Sequence, residues 1–465
     1  MFFKKHEKIL AGILLALICI LVSVRISTTW DKKGFVDARY FVETSRLILQ
    51  GISPYTPETN PTRYKYPMQA PSMSLLTMPL CPLPDLAVFL FFFFTGILAF
   101  VGFTVLIFDF YGFHPRDYLK PRWKNLPIWF VFALILTSSP FLFSLRHGQN
   151  ACMTVFFLFL ALLYPKRDEK GNIIFLALSA AMKYSLLTMQ APVLLIQKRW
   201  RLCVFSFLLF LSMALVTGFW LDGVIPSIRD YLHLLIENTM RGANSYHNAN
   251  SLFFVHIGFF TSKTANTLAK VILLVLYGVT LRIIHLRGKK NANAGTDGDG
   301  TPGVTALEWG AFAALTMAIS YHRVYDAVLI VPFLGVILLE TLKRVYLEDD
   351  SRTFNLFWVL GIAGVFFLWT FPLRLFYEIG SWIGCNIPAG QAVFVYSNNP
   401  MKEHSAMFPI CSLGMLATAC FLFAMEMFHS SDFSTGKKPA QDHGGDPAEG
   451  STDAMKAEAA PDNPE

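Results

Sequence analysis

Charge is scarce in this chain. Only 15% of its 465 residues are Asp, Glu, Lys or Arg, against about 25% in ordinary soluble domains. The deficit excludes a soluble fold: 54% of the residues are hydrophobic, 44 of them Phe, and no aqueous core hides so much apolar surface. Strict apolar–polar alternation is also missing. The apolar runs are long and continuous, which excludes a membrane barrel and leaves helices as the backbone that lipid permits. Cysteines are few. The seven, Cys19, Cys81, Cys152, Cys203, Cys385, Cys411 and Cys420, have neither metal-type spacing nor a disulfide pattern, so they read as small apolar side chains. The first run, 9–26, lacks a small-residue cleavage site and reads as a retained anchor rather than a signal peptide. No repeat period is visible, and with it goes one sign of an inverted-repeat transporter.

What is there fits an all-α polytopic membrane protein. Basic short loops place both termini in the cytoplasm and yield about twelve membrane helices. Early spans are expected at 85–110, 126–143, 150–164 and 202–220. Later ones are expected at 265–285, 304–320, 327–345, 354–372 and 406–429. Residues 1–429 form the membrane module. Outside loops cover 27–84, 221–264 and 373–405, a flexible cytoplasmic linker covers 288–303, and a disordered cytoplasmic tail covers 430–465. The run 172–197 is different. Both its flanks, KRDEK and KRWR, are basic and Lys183 lies near its middle. One straight helix would violate the charge rule, so two short helices are expected to meet near 182–185 as a broken hairpin.

The polar residues gather on one face of this topology. Arg39, Glu43, Arg46 and Gln50 step by four, three and four residues, opposite an apolar face of Phe41, Val42, Ile48 and Leu49. That pattern predicts an interfacial helix lying on the membrane, closed by Gly51 and Pro54. Asp37 stands at its start, either as the N-cap or as a general base, and the two roles are compatible. Arg63 and Lys65 follow in the same loop, either snorkelling or binding phosphate, and Tyr66 beside them suits the membrane interface as aromatics do. The turn RHGQN carries His147, Gln149 and Asn150, more polarity than a turn needs, although Asn150 also reads as the cap of the next helix. Lys183 is an ionisable group inside a membrane segment, a functional candidate by default. In SYHRVYDA, His322 and Arg323 fit phosphate recognition, or an Arg323–Asp326 pair simply closes the turn. His247 and Asn250 in YHNANS suit sugar contacts or a surface loop. No outside carboxylate cluster resembles a metal site, and nothing points to nucleic acid.

The blocks VDARYFVETSRLILQGISPY, YKYPMQAPSMSLLTMPLCPLP, HGQNACMTVFFLFLAL, LALSAAMKYSLLTMQAPVLLIQKRWR and SYHRVYDAVLIVPFL resemble, in that order, glycosyltransferase family 87 of the GT-C superfamily. The resemblance runs over 37–332. It implies an inverting transfer of a sugar, mannose by family weight, from a polyprenyl-phosphate carrier to a lipid or glycan acceptor. The setting implied is the outer face of a bacterial cytoplasmic membrane, with no cofactor. Asp37 occupies the place of the family's catalytic base. His322, Arg323, Lys183, Arg63 and Lys65 are then the candidates for the donor phosphate. Tyr66, His147, Gln149, Asn150, His247 and Asn250 are the candidates for sugar or acceptor contacts. Arg39 departs from the family, which more often has an apolar residue there. A transporter or flippase for lipid-linked sugars is the rival reading, and Lys183 is the feature that favours it.

Overall fold

The computed structural model describes residues 2–30, 35–56, 70–163 and 169–241. Beyond these it describes 268, 271, 272, 274–283, 285, 286, 312, 324–336, 338 and 339. All regular structure among the described residues is helical. The order is α1 Phe2–Ser27, α2 Val36–Leu49, α3 Pro71–Thr77, α4 Asp85–Phe110, α5 Pro115–Tyr118, α6 Leu126–Leu136, α7 Ser139–His147, α8 Ala151–Leu163, α9 Glu169–Ile196, α10 Trp200–Thr217 and α11 Val224–Arg241, followed later by a 3₁₀ turn at Val324–Leu329.

Three of these are long and apolar enough to cross a membrane: Glu7–Ser27, Asp85–Phe110 and Trp200–Trp220. They coincide with three expected spans. The span expected at 126–143 is not one straight helix. Trp123–Leu136 and Pro140–His147 meet at a 45° bend, because Pro140 removes a donor and its ring crowds the preceding turn. The second arm also runs on through Arg146 and His147, which were expected in a loop. The expected break in 172–197 is present. Within α9, Lys183 has φ −158° and ψ 87°, an extended backbone between two helical arms. Much of the later spans, the linker and the tail fall outside the described residues.

In lipid the helices are held by close packing and interhelical hydrogen bonds rather than by expulsion of water. α4, α8, α9 and α10 pack in that order, each on the next, and α3 lies against α10, α9 and α2. Phenylalanines fill the seams. Phe100 stacks on Phe141 with centroids 4.3 Å apart, and Phe159 touches Phe103 at 5.1 Å and Phe333 at 5.4 Å. The last contact ties the segment after the 3₁₀ turn into the core. Polar glue joins α2 to α3: Ser45 Oγ donates to the Ser74 carbonyl at 2.9 Å and lies 2.6 Å from Thr77 Oγ1.

Candidate active site

The helix that carries Asp37 is held by protein on several sides. Ala38, Val42, Thr44, Ser45 and Ile48 are buried, against α3, α4 and α7. Its end is closed as the sequence suggests. Gly51 has φ +75°, and the Ile52 and Gly51 N–H groups donate to the Leu47 and Ile48 carbonyls at 2.9 Å each, a Schellman closure. The polar stripe holds the helix to the start of α4. Arg46 donates to Glu43 at 3.0 Å and to the Cys81 and Leu83 carbonyls at 3.1 and 3.0 Å. Arg39 reaches Asp85 at 3.9 Å. Residues two apart on a helix do not share a face, so Arg39 turns to Asp85 while Asp37 turns elsewhere.

Asp37 is not the N-cap. Phe35 stands at that position and caps with no side chain. Asp37 lies in the first turn, where a carboxylate suits the helix dipole. Its Oδ2 accepts a hydrogen bond from Gln149 Nε2, and His147 Nδ1 lies 4.0 Å from the same oxygen. Phe143 backs the imidazole, its ring 4.2 Å from that of His147. Gly148 makes the approach possible. It adopts φ +64°, and a Cβ there would meet Ala38 Cβ at 2.6 Å. The Asp37 side chain is 18% exposed, neither sealed in the core nor open to bulk water.

The next residue of the turn reaches the other cluster. Asn150, 2% exposed, donates through Nδ2 to the Met182 carbonyl at 2.8 Å, while its own carbonyl accepts the Thr154 N–H at 2.9 Å where α8 begins. Ser72 Oγ donates to the neighbouring Ala181 carbonyl at 3.2 Å. These are carbonyls next to the break, where the regular helical ladder is interrupted. Lys183 sits at the break, its Nζ 2.5 Å from Asp326 Oδ1, with the side chains 23% and 1% exposed. Asp326 belongs to the 3₁₀ turn, which packs on α7 and α8.

The structure therefore brings together Asp37, His147, Gln149, Asn150 and Lys183 through one continuous run of contacts. His322, Arg323, Arg63, Lys65, Tyr66, His247 and Asn250 lie outside the described residues. Asp326 was not singled out from the sequence as a site residue, only as a turn-closing partner of Arg323. The rule that flagged Lys183, an ionisable group against an apolar run, flags Asp326 equally.

Two other features adjoin the site. A cleft of about 320 Å³ opens between the end of α1, α2 and the start of α4; Trp30, Phe35 and Phe89 wall it, and Arg39, Arg46 and Asp85 supply polar groups. Asp37 does not line it. Tyr55 and Tyr231 meet edge to face at 5.3 Å. Their buried hydroxyls close no hydrogen bond of normal geometry among the described residues. Burial pushes both phenols well above their ordinary range, so they stay neutral and offer no base. Among the described residues no group of three or more His, Cys, Asp or Glu is placed to hold a metal ion.

A carboxylate fixed by an amide is joined here through a turn to an ammonium at a helix break, and such groups are chemically able to take a proton and to meet an anion. None of the curated proteins compared matches the chain. Residues 64–297, half of the chain, match the family model of glycosyltransferase family 87. The matched region includes the HGQN turn and the broken helix, while Asp37 lies before it and Asp326 after it. The chain belongs to glycosyltransferase family 87, and it is on that membership a glycosyltransferase with membrane-spanning helices.

Proposed function

We propose that the protein transfers a sugar, mannose by preference, from a polyprenyl-phosphate carrier to a lipid or glycan hydroxyl on the outer face of the cytoplasmic membrane, with inversion at the anomeric carbon. The acceptor oxygen forms its bond to C1 as the C1–O bond to the phosphate breaks. The electron pair of that bond leaves on the phosphate, and the acceptor proton passes to Asp37. A hydroxyl is a weak acid, so a base within hydrogen-bond reach accelerates the step by about 10²–10⁴-fold. The leaving phosphate gains charge, and fixed donors stabilise it. Lys183 is our first assignment for that task, with His322, Arg323, Arg63 and Lys65 as further cations. Tyr66, His247 and Asn250 remain proposed sugar or acceptor contacts.

One observation carries this reading: consecutive residues of the HGQN turn hold the Asp37 carboxylate and the backbone that presents Lys183. We assign Gln149 and Asn150 positioning roles beside the sugar or acceptor contacts their sequence suggests, a reading supported by the bonds their amide nitrogens make within the protein. His147 is placed to share the Asp37 carboxylate. Membership of a glycosyltransferase family weighs against the transporter reading. Purified protein, supplied with a panel of polyprenyl-phosphate sugars and a membrane lipid extract, is the test. Asp37→Asn should lower kcat by at least about 100-fold with the fold intact. Undiminished transfer by Asp37→Asn removes the assignment of the base, and solute movement without transfer by the wild type removes the enzyme.

A further inference from the structure

Lysine is a poor fixed cation when left to itself. Its stem is long and flexible, and beside a membrane segment the ammonium tends to snorkel toward water. At Lys183 the protein opposes that tendency from every described side. Met182, immediately before it, is held through its carbonyl by Asn150, and Ala181 by Ser72. The ammonium itself is held by Asp326, which is 1% exposed. Asp326 in turn rides on a rigid support, since Ala327, Val328, Leu329, Ile330 and Phe333 behind it are all fully buried. A buried ion pair is seldom the most stable filling of such a place, and an apolar pair of the same shape does as well or better. Its presence at a backbone break calls for another reason than stability.

We propose that Asp326 is a positioning residue that pins the Lys183 ammonium at the break in α9, so that a lipid monophosphate meets a cation already in place. This rests on the reading that Lys183 receives the donor phosphate. The Lys183 side chain is 23% exposed and Asp326 almost wholly enclosed, so the lysine is the member of the pair nearer to solvent. Two opposing effects act on a phosphate there. The carboxylate repels it, and the same carboxylate fixes the cation that attracts it. The fixed geometry is the larger effect, because the phosphate lies beyond the ammonium and sees the carboxylate from farther away.

The test uses the full chain in detergent or nanodiscs, with a polyprenyl monophosphate as the binding probe and sugar transfer as the second readout. Asp326→Asn should weaken binding of the monophosphate by about 10–100-fold, with kcat/KM for the donor falling in parallel, as for other supporting groups behind a first contact. In a Lys183→Ala background the same change should add less than about twofold, because two residues acting as a unit are not additive. Unchanged or tighter binding by Asp326→Asn overturns the proposal, and so do losses that multiply in the double variant. If Asp326→Asn does not fold, Asp326→Glu decides: it keeps the charge, moves it by one methylene and should weaken binding by about 3–10-fold, while unchanged binding overturns the proposal. A wild type that binds the monophosphate but transfers no sugar sinks the enzyme reading alone, since binding still decides the role of Asp326.

Discussion

At Gly148 two constraints coincide. Its φ of +64° lies where only glycine is at ease, and the space a Cβ would need is already held by Ala38. Gly148→Ala must therefore strain the turn and push the start of α2 away from Gln149. We expect a loss of about 1–3 kcal/mol in stability from the overpacking and at least about a tenfold loss of transfer, read by thermal unfolding and by initial rates. The glycine itself was legible as a turn residue. Its neighbour in space was not, because Ala38 is remote in sequence and carries no chemistry of its own. The same holds for Asp37 and Gln149, whose contact spans 112 residues, and for Lys183 and Asp326, whose contact spans 143. Each member could be suspected alone as an ionisable or polar group out of place, but the pairing is a property of the fold.

Elements were read best where one force dominated. α4 was located to its ends, Asp85 and Phe110, because its apolar run is uninterrupted and Pro84 precedes it. The break in α9 was legible because charge at both flanks and a lysine at the centre are incompatible with one span. The bend at Thr137–Pro140 was missed, since apolar residues continue on both sides and hide it. α3 was missed too, as a short helix among prolines has little periodicity to show. Its three-way hydroxyl contact explains why Ser45 and Thr77 sit fully inside an apolar face. Ser45→Val keeps the shape but removes the hydroxyl bond from α2 to α3, while the Ser74 carbonyl keeps the Met78 N–H and Thr77 Oγ1 keeps the Met73 carbonyl, and we expect about 0.5–1.5 kcal/mol of destabilisation with α2 the first element to open in hydrogen exchange. Asn150→Leu acts on the break instead. It leaves the Met182 carbonyl without its donor, so donor KM should rise while the Asp37-dependent step keeps its pH profile. An unchanged KM would mean that the break is held without Asn150.

At the scale of the molecule, the two halves of the site depend on one packed interior. Phe159 touches both Phe103 of α4 and Phe333, the latter on the segment that follows Asp326. Phe159→Ala should cost about 3–5 kcal/mol, seen as a lowered unfolding midpoint in detergent. It should also weaken lipid monophosphate binding although no residue of the site is changed. A fall in the midpoint with binding intact would show that Asp326 is supported by other contacts. The overall class, a helical bundle in lipid, was legible from composition, because scarcity of charge and continuity of the apolar runs admit few alternatives.

Gln149 and Asn150 are adjacent, so their Cα atoms stand one trans peptide apart, about 3.8 Å. That single rigid plane is the ruler between a group that takes a proton and the chain bend that offers a cation. A glycine inserted between them would delete no side chain and break no helix, yet it would change the gauge. An enzyme so altered would hold all its parts and lose their spacing.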